Sequence, residues 1–202
     1  MEVVAYRGEH GPIGQGLIQT MRGSVTFTDS LDVAATYATI PNDRFLSVVD
    51  PRVVEAKLTI RCPLIDAPDD PFIDLKMIAC EMGREVAVRM ALKHANWIEQ
   101  TSLWRENFAG RFGCVFDLLS IQPESIKELY LQAWPLLDDA EFVQIARKAG
   151  FDGAIHAGSG ESLDAVEYRV FDRDGILVLR VWHGDEIQSI DSDRSARQRV
   201  FC

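Results

Sequence analysis

The chain has 202 residues, 47% of them hydrophobic and 26% charged, with a formal net charge of −10. That is enough apolar material for a buried core and rules out a disordered tail, while the acidity argues against nucleic acid as partner, because such binding rests on Lys and Arg neutralising phosphates. No apolar run nears the ~20 residues that span a bilayer, and the cysteines (Cys62, Cys80, Cys114, Cys202) and histidines (His10, His94, His156, His183) are dispersed without metal-ligand spacing, which disfavours zinc.

Met1–Tyr6 has neither a basic start nor a long apolar stretch, so it does not read as a signal peptide. With scattered thiols, the expected location is a reducing, cytoplasmic compartment, of the producing or of a target cell. Instead of a leader, Val3–Tyr6 reads as a short strand ending at Arg7-Gly8, and Gly11–Gly16 as a Gly/Pro loop. A second strand is expected over Ser24–Phe27, broken at Thr28-Asp29-Ser30. A helix over Leu31–Ala38 follows, with Asp29 or Ser30 as its N-cap. Val53–Ile60 alternates, Val54, Ala56, Leu58 and Ile60 against Glu55, Lys57 and Thr59, which is the pattern of a half-buried strand. Cys62-Pro63 ends it.

From Leu75 to Gln100 the apolar residues Ala79, Met82, Val86 and Met90 recur at helical spacing and predict a helix. Further helices are expected over Ser125–Ala133 and Ala140–Ala149, the latter with Asp138 and Asp139 at its start and Gly150 past its end. The β pattern then returns at Gly153–His156, Val166–Asp172 and Ile176–Trp182, with the Ala157-Gly158-Ser159-Gly160-Glu161 loop between the first two. Strands, then helices, then strands imply one α+β domain spanning 1–202. Its two strand groups would join around a helical insertion at about 75–149.

Three segments carry candidate chemistry: Tyr6-Arg7-Gly8; Thr26-Phe27-Thr28-Asp29-Ser30 followed by Ala34, Tyr37 and Ala38; and Gly150-Phe151-Asp152-Gly153-Ala154-Ile155-His156 followed by Glu167-Tyr168-Arg169-Val170-Phe171-Asp172. In this order they resemble the ADP-ribosyltransferase superfamily, in its Arg–Ser/Thr–Glu branch with compact bacterial and phage members. The resemblance covers roughly residues 3–60 and 150–180. It implies a mixed, mainly antiparallel split β-sheet, NAD as co-substrate, and transfer of ADP-ribose to an acceptor.

The chemistry of such a site can be stated on its own terms. Cleaving the nicotinamide–ribose bond develops positive charge on the ribose, as in glycoside hydrolysis. It calls for a cation near the pyrophosphate, a hydroxyl fixing the ribose, and a carboxylate at the developing charge. The resemblance gives Arg7 the first role, suited to its planar fork; alone, Arg7 would read as a surface arginine at a strand end. Thr28 or Ser30 would supply the hydroxyl, Ser30 also reading as a helix N-cap, because Phe27-Thr28-Asp29-Ser30 departs from the family's Ser-Thr-Ser. Glu167 would be the catalytic carboxylate; otherwise it belongs to a solvated face or pairs with Arg169, which shares its side of the strand with Phe171. Gly8 would let its backbone approach the nicotinamide amide, and Phe27 and Tyr37 would pack on the ring or else belong to the core.

Arginine-modifying relatives carry a second glutamate two residues before the catalytic one. Here that position is Ala165, with Asp164 and Glu161 nearby, so the usual arginine acceptor is disfavoured. The Ala157–Asp164 loop lies where relatives recognise targets. The expected acceptor is a protein, a basic one by charge complementarity. NAD glycohydrolysis, ADP-ribosylation of a nucleobase or nucleic acid, which the charge disfavours, and a catalytically silent binding module are the other readings.

Overall fold

The computed structural model describes residues 1–11, 23–41 and 47–187. They divide into two compact units, one from Met1–Asp69 with the chain from Asp152 onward, the other Asp70–Phe151. The Gly11–Gly16 loop lies, from residue 12, outside the described residues.

The first unit opens with β1 (Glu2–Glu9), β2 (Val25–Thr28), α1 (Leu31–Thr39), β3 (Arg52–Thr59) and β4 (Pro63–Ala67). The second unit holds β5 (Phe72–Asp74), α2 (Leu75–Met82), α3 (Arg84–Lys93), α4 (Ala95–Ile98), a π-helical turn at Trp104–Phe108, α5 (Val115–Ile121), β6 (Tyr130–Gln132), α6 (Ala133–Leu137) and α7 (Ala140–Lys148). The chain then returns to the first unit with β7 (Gly153–Ala157), β8 (Val166–Val170) and β9 (Ile176–His183). Among the described residues no helix is long and apolar enough to cross a membrane.

In the first unit seven strands form one mixed sheet in the order β4-β7-β8-β2-β1-β3-β9. Only β4 and β7 run parallel; every other pairing is antiparallel. The sheet is hydrogen-bonded throughout and is not two separate sheets. Its weak point is between β1 and β2, which share the single pair Tyr6↔Thr28, whereas β1 and β3 pair over eight residues. Alternation along the strands sends Ala5, Val25, Phe27, Val54, Ala56, Leu58, Ile155, Tyr168 and Val170 into one core.

The opposite face carries α1, whose Ala34, Ala35 and Ala38 pack with Val53 and Ile187, bordered by Tyr6 and Trp182. Small residues let α1 lie close on β1, and Gly8 makes that approach possible. A Cβ there would sit 1.9 Å from the Ala34 carbonyl oxygen and 2.6 Å from the Ala38 nitrogen.

The second unit departs from the sequence reading in two places. The single helix expected over Leu75–Gln100 is three, broken at Gly83, whose φ of 94° is outside helical space, and again at His94. The helix expected over Ser125–Ala133 is a 3₁₀ turn at Pro123–Lys127 followed by β6, because Tyr130–Gln132 pairs antiparallel with Phe72–Asp74. That partner is over fifty residues away, beyond what local propensity registers. Strand β4 and helix α5 were not anticipated either. Ala140–Lys148 is helical as expected, capped by Asp139, whose carboxylate accepts from the Glu141 and Phe142 amides.

Asp139 also accepts from Lys93 Nζ at 2.9 Å and pairs with His94 Nε2 at 2.9 Å, tying the end of α3 to the start of α7. Burial alone would raise this carboxyl's pKa, but the bonds from Lys93 and His94 outweigh it and hold the pKa below the ordinary aspartate value. A depressed carboxyl contributes stability that is present above its unfolded pKa and is lost as pH falls through the folded one.

Two outcomes are expected. Gly8→Ala should lower stability by about 1–3 kcal/mol through overpacking, measured by urea unfolding; an unchanged midpoint would show that α1 does not need the close approach. Asp139→Asn, which still caps a helix, should flatten the loss of thermal stability between about pH 5 and about pH 3 relative to the parent protein.

Candidate functional site

Strand register assembles the site. His156 on β7 lies opposite Glu167 on β8, Glu167 opposite Thr28 on β2, and Thr28 opposite Tyr6 on β1. Directly paired residues share a sheet face, so these four form one row across four strands, on the side away from the Phe27–Tyr168 core. The Asp29 amide donates to the Val166 carbonyl at 3.1 Å, a ladder bond one residue beyond the Thr28/Glu167 pair. In antiparallel alternation Thr28/Glu167 is therefore a non-hydrogen-bonded pair, the kind whose side chains stand closest, with Cβ atoms about 4.5–5.5 Å apart.

Asp29 continues that pairing with its side chain. Its Oδ1 accepts from the Val166 amide at 2.9 Å, fixing the start of β8 against the β2–α1 turn. Thr28 Oγ1 accepts from the Ser30 amide, and Ser30 Oγ accepts from the Val33 amide. The choice between the two hydroxyls is thereby divided: Ser30 is the N-cap of α1, and Thr28 is the one beside Glu167.

Glu167 is 5% exposed. Arg169 Nη2 donates to its Oε2 at 2.9 Å, the Ser162 hydroxyl donates to its Oε1 at 2.5 Å, and His156 Nε2 stands 3.7 Å from Oε2. Arg169 supplies the countercharge from the same strand face, two residues along. Ser162, fully buried, reaches in from the 3₁₀ turn Gly160–Ser162 that folds over the strand ends. On the core side, burial and then the charge of Asp29 push the Tyr168 phenol up from its ordinary value.

The remaining candidates are placed as follows. Arg7 alternates with Tyr6, and its strand partner Val54 is in the core, so its side chain leaves β1 on the face opposite to Glu167. Its guanidinium reaches over the β1–β2 junction, Nη1 donating to the Thr26 carbonyl at 3.0 Å and Nε to Glu9 Oε2 at 3.2 Å. Glu9 in turn meets Arg52 at 3.5 Å. Gly8 faces α1, and the space beside its Cα is filled by the helix backbone. Phe27, 1% exposed, is a core residue on the face away from Glu167. Tyr37 is exposed on α1. Ala165 is buried, Asp164 is exposed, and the side chain of Glu161 lies outside the described residues.

The structure thus brings Thr28 and Glu167 together, sets Arg7 on the adjoining strand but on the opposite face, keeps Phe27 and Gly8 in packing positions, and leaves Tyr37 exposed on α1. The sequence reading missed Ser162 and His156 as neighbours of Glu167. The signal for His156 was the antiparallel hairpin geometry of β7 and β8; Ser162 had none. Comparison with known proteins gives no match: no family model fits the chain, and no curated protein or solved structure is similar to it.

Removing Arg169 would leave a buried, uncompensated carboxylate. Arg169→Met should cost about 3–5 kcal/mol, and Arg169→Met with Glu167→Gln should recover a large part of it. Chemical denaturation of the single and double variants checks this; additive losses would mean the two side chains are not coupled.

Proposed function

We propose that the protein is an NAD-dependent ADP-ribosyltransferase that cleaves the nicotinamide–ribose bond and transfers ADP-ribose to a macromolecular acceptor. The observation that carries this reading is the direct pairing of Thr28 and Glu167 at the ends of β2 and β8. A hydroxyl and a carboxylate on adjoining strand ends can together hold one ribose. Supporting it is the order of the three sequence segments; the position of Arg7, whose side chain leaves β1 on the opposite sheet face, adds nothing to it.

In this reading Glu167 accepts a hydrogen bond from a ribose hydroxyl and stabilises the positive charge that grows as nicotinamide leaves. Thr28 orients the same ribose. The resemblance gives Arg7 the pyrophosphate, a pairing its fork geometry favours; from the opposite sheet face it would have to leave the Thr26 carbonyl and Glu9 and reach round the β1–β2 junction. The acceptor is a protein with a basic surface, matched to the net charge of −10, and modified on a side chain other than the usual arginine, since position 165 is alanine. Water as acceptor would make the protein an NAD glycohydrolase.

A second reading is favoured by the enclosure of Glu167. Its oxygens are engaged by Arg169 and Ser162 and it is 5% exposed, as a structural ion pair would be. The protein would then be a silent domain that binds a partner.

Incubation with NAD separates these. Nicotinamide release that requires lysate, with label moving to a protein band, is the transferase result; release in buffer alone is the glycohydrolase result. No NAD binding at millimolar concentration leaves the silent domain. In an active protein Glu167→Gln should lower turnover by roughly a hundredfold or more with NAD binding retained, and Arg7→Ala should weaken NAD binding. Unchanged turnover in Glu167→Gln would move the carboxylate elsewhere.

A further inference from the structure

We infer that the segment Ala157–Ala165 is a latch, closed by Ser162, whose hydroxyl occupies the place on Glu167 that a ribose hydroxyl takes when the site opens. The inference rests on the reading of Glu167 as the ribose-binding carboxylate.

The base of the segment is fixed. The Gly158 amide donates to the Ala165 carbonyl at 2.7 Å, and Val166 is held by Asp29 on both its amide and its carbonyl. Between those anchors the loop is a small self-contained turn. Ser162 donates its amide to the Ser159 carbonyl, Leu163 to the Gly160 carbonyl, and Ser159 and Ser162 cap one another. The turn also packs against α1, so opening it as one piece about its base releases that contact together with the Ser162–Glu167 bond.

The Ser162 hydroxyl has one proton and two acceptors in reach, Glu167 Oε1 at 2.5 Å and the Ser159 carbonyl at 2.8 Å. A bond to a carboxylate is the stronger of the two, so the proton favours Glu167 in the closed state. On opening, the same proton turns to the Ser159 carbonyl, inside the turn, and the hydroxyl is not stranded. The ribose hydroxyl then donates to Glu167 in its place, one O–H···O⁻ bond exchanged for another.

Asp164, at the end of the turn, has φ of 72°, in the left-handed region that most non-glycine residues seldom occupy. Gly158 reports how tightly the turn is folded: a Cβ there would lie 2.1 Å from the Ser162 carbonyl oxygen.

The test is amide hydrogen exchange of Gly158–Ala165, with NAD titration, in the parent protein, Ser162→Ala and Gly158→Ala. Both variants should speed exchange at least tenfold within the segment and leave the rest of the sheet unchanged. Both should also lower the KM or Kd for NAD several-fold, because the apparent dissociation constant is the intrinsic one divided by the fraction of open molecules. NAD added to the parent should speed exchange in the same segment. Unchanged segment exchange in both variants overturns the latch, as does faster exchange spread over the whole sheet, which is the signature of a merely structural serine. NAD turnover with the same KM in all three proteins overturns the latch and leaves the transferase reading standing. No NAD binding by any of the three, with the segment opened in both variants, overturns the transferase reading and with it the assignment of ribose as the displacing group.

Discussion

Burying the Glu167 carboxylate is the most demanding thing this sheet does. A lone carboxylate at 5% exposure would be strongly unfavourable, and its neighbours are arranged to offset that cost. Arg169 neutralises it from the same strand face, Ser162 donates to it from the loop, and His156 stands beside it on β7. β7 beside β8, the turn at Gly160–Ser162 and the tether from Asp29 to Val166 together surround this group.

The second constraint is the meeting of β1 and β2. Their single shared pair leaves the two halves of the sheet joined by little backbone hydrogen bonding. Two devices bridge the junction. Arg7 extends its guanidinium across to the Thr26 carbonyl, and α1 lies over β1 at Gly8, where only a hydrogen fits. α1 begins at Leu31, three residues after Thr28, so its packing on β1 also constrains the chain leaving the end of β2. A backbone contact at Gly8 thus reaches the row containing Thr28 and Glu167.

How far this was legible in the residues varies with the range of the interaction. The alternation of Val54, Ala56, Leu58 and Ile60 and of Val166, Tyr168 and Val170 reported their strands and faces correctly, since a period of two needs only neighbours. The pattern also placed Arg169 beside Glu167. The caps could be narrowed to Asp29 or Ser30 and to the Asp138-Asp139 pair from position alone; the structure puts them at Ser30 and Asp139. Tyr130–Gln132 could not be read as a strand, because its partner is Phe72–Asp74. Gly83 was passed over because a glycine inside an apolar helical pattern does not announce a φ of 94°. Tyr37 and Phe27 look alike as aromatics near a candidate hydroxyl, yet one is exposed on a helix and the other is core.

Local periodicity and capping were enough to specify the α+β class, the succession of strand groups around a helical segment, and the faces of the main strands. The tertiary structure alone decided the strand order β8-β2-β1, and with it which hydroxyl stands beside Glu167. It decided that Ser162, unremarkable in a loop of small residues, closes over that carboxylate, and that Arg7 leaves β1 on the other face. These depend on register between strands far apart in the chain, where a shift of one residue turns every side chain to the opposite side.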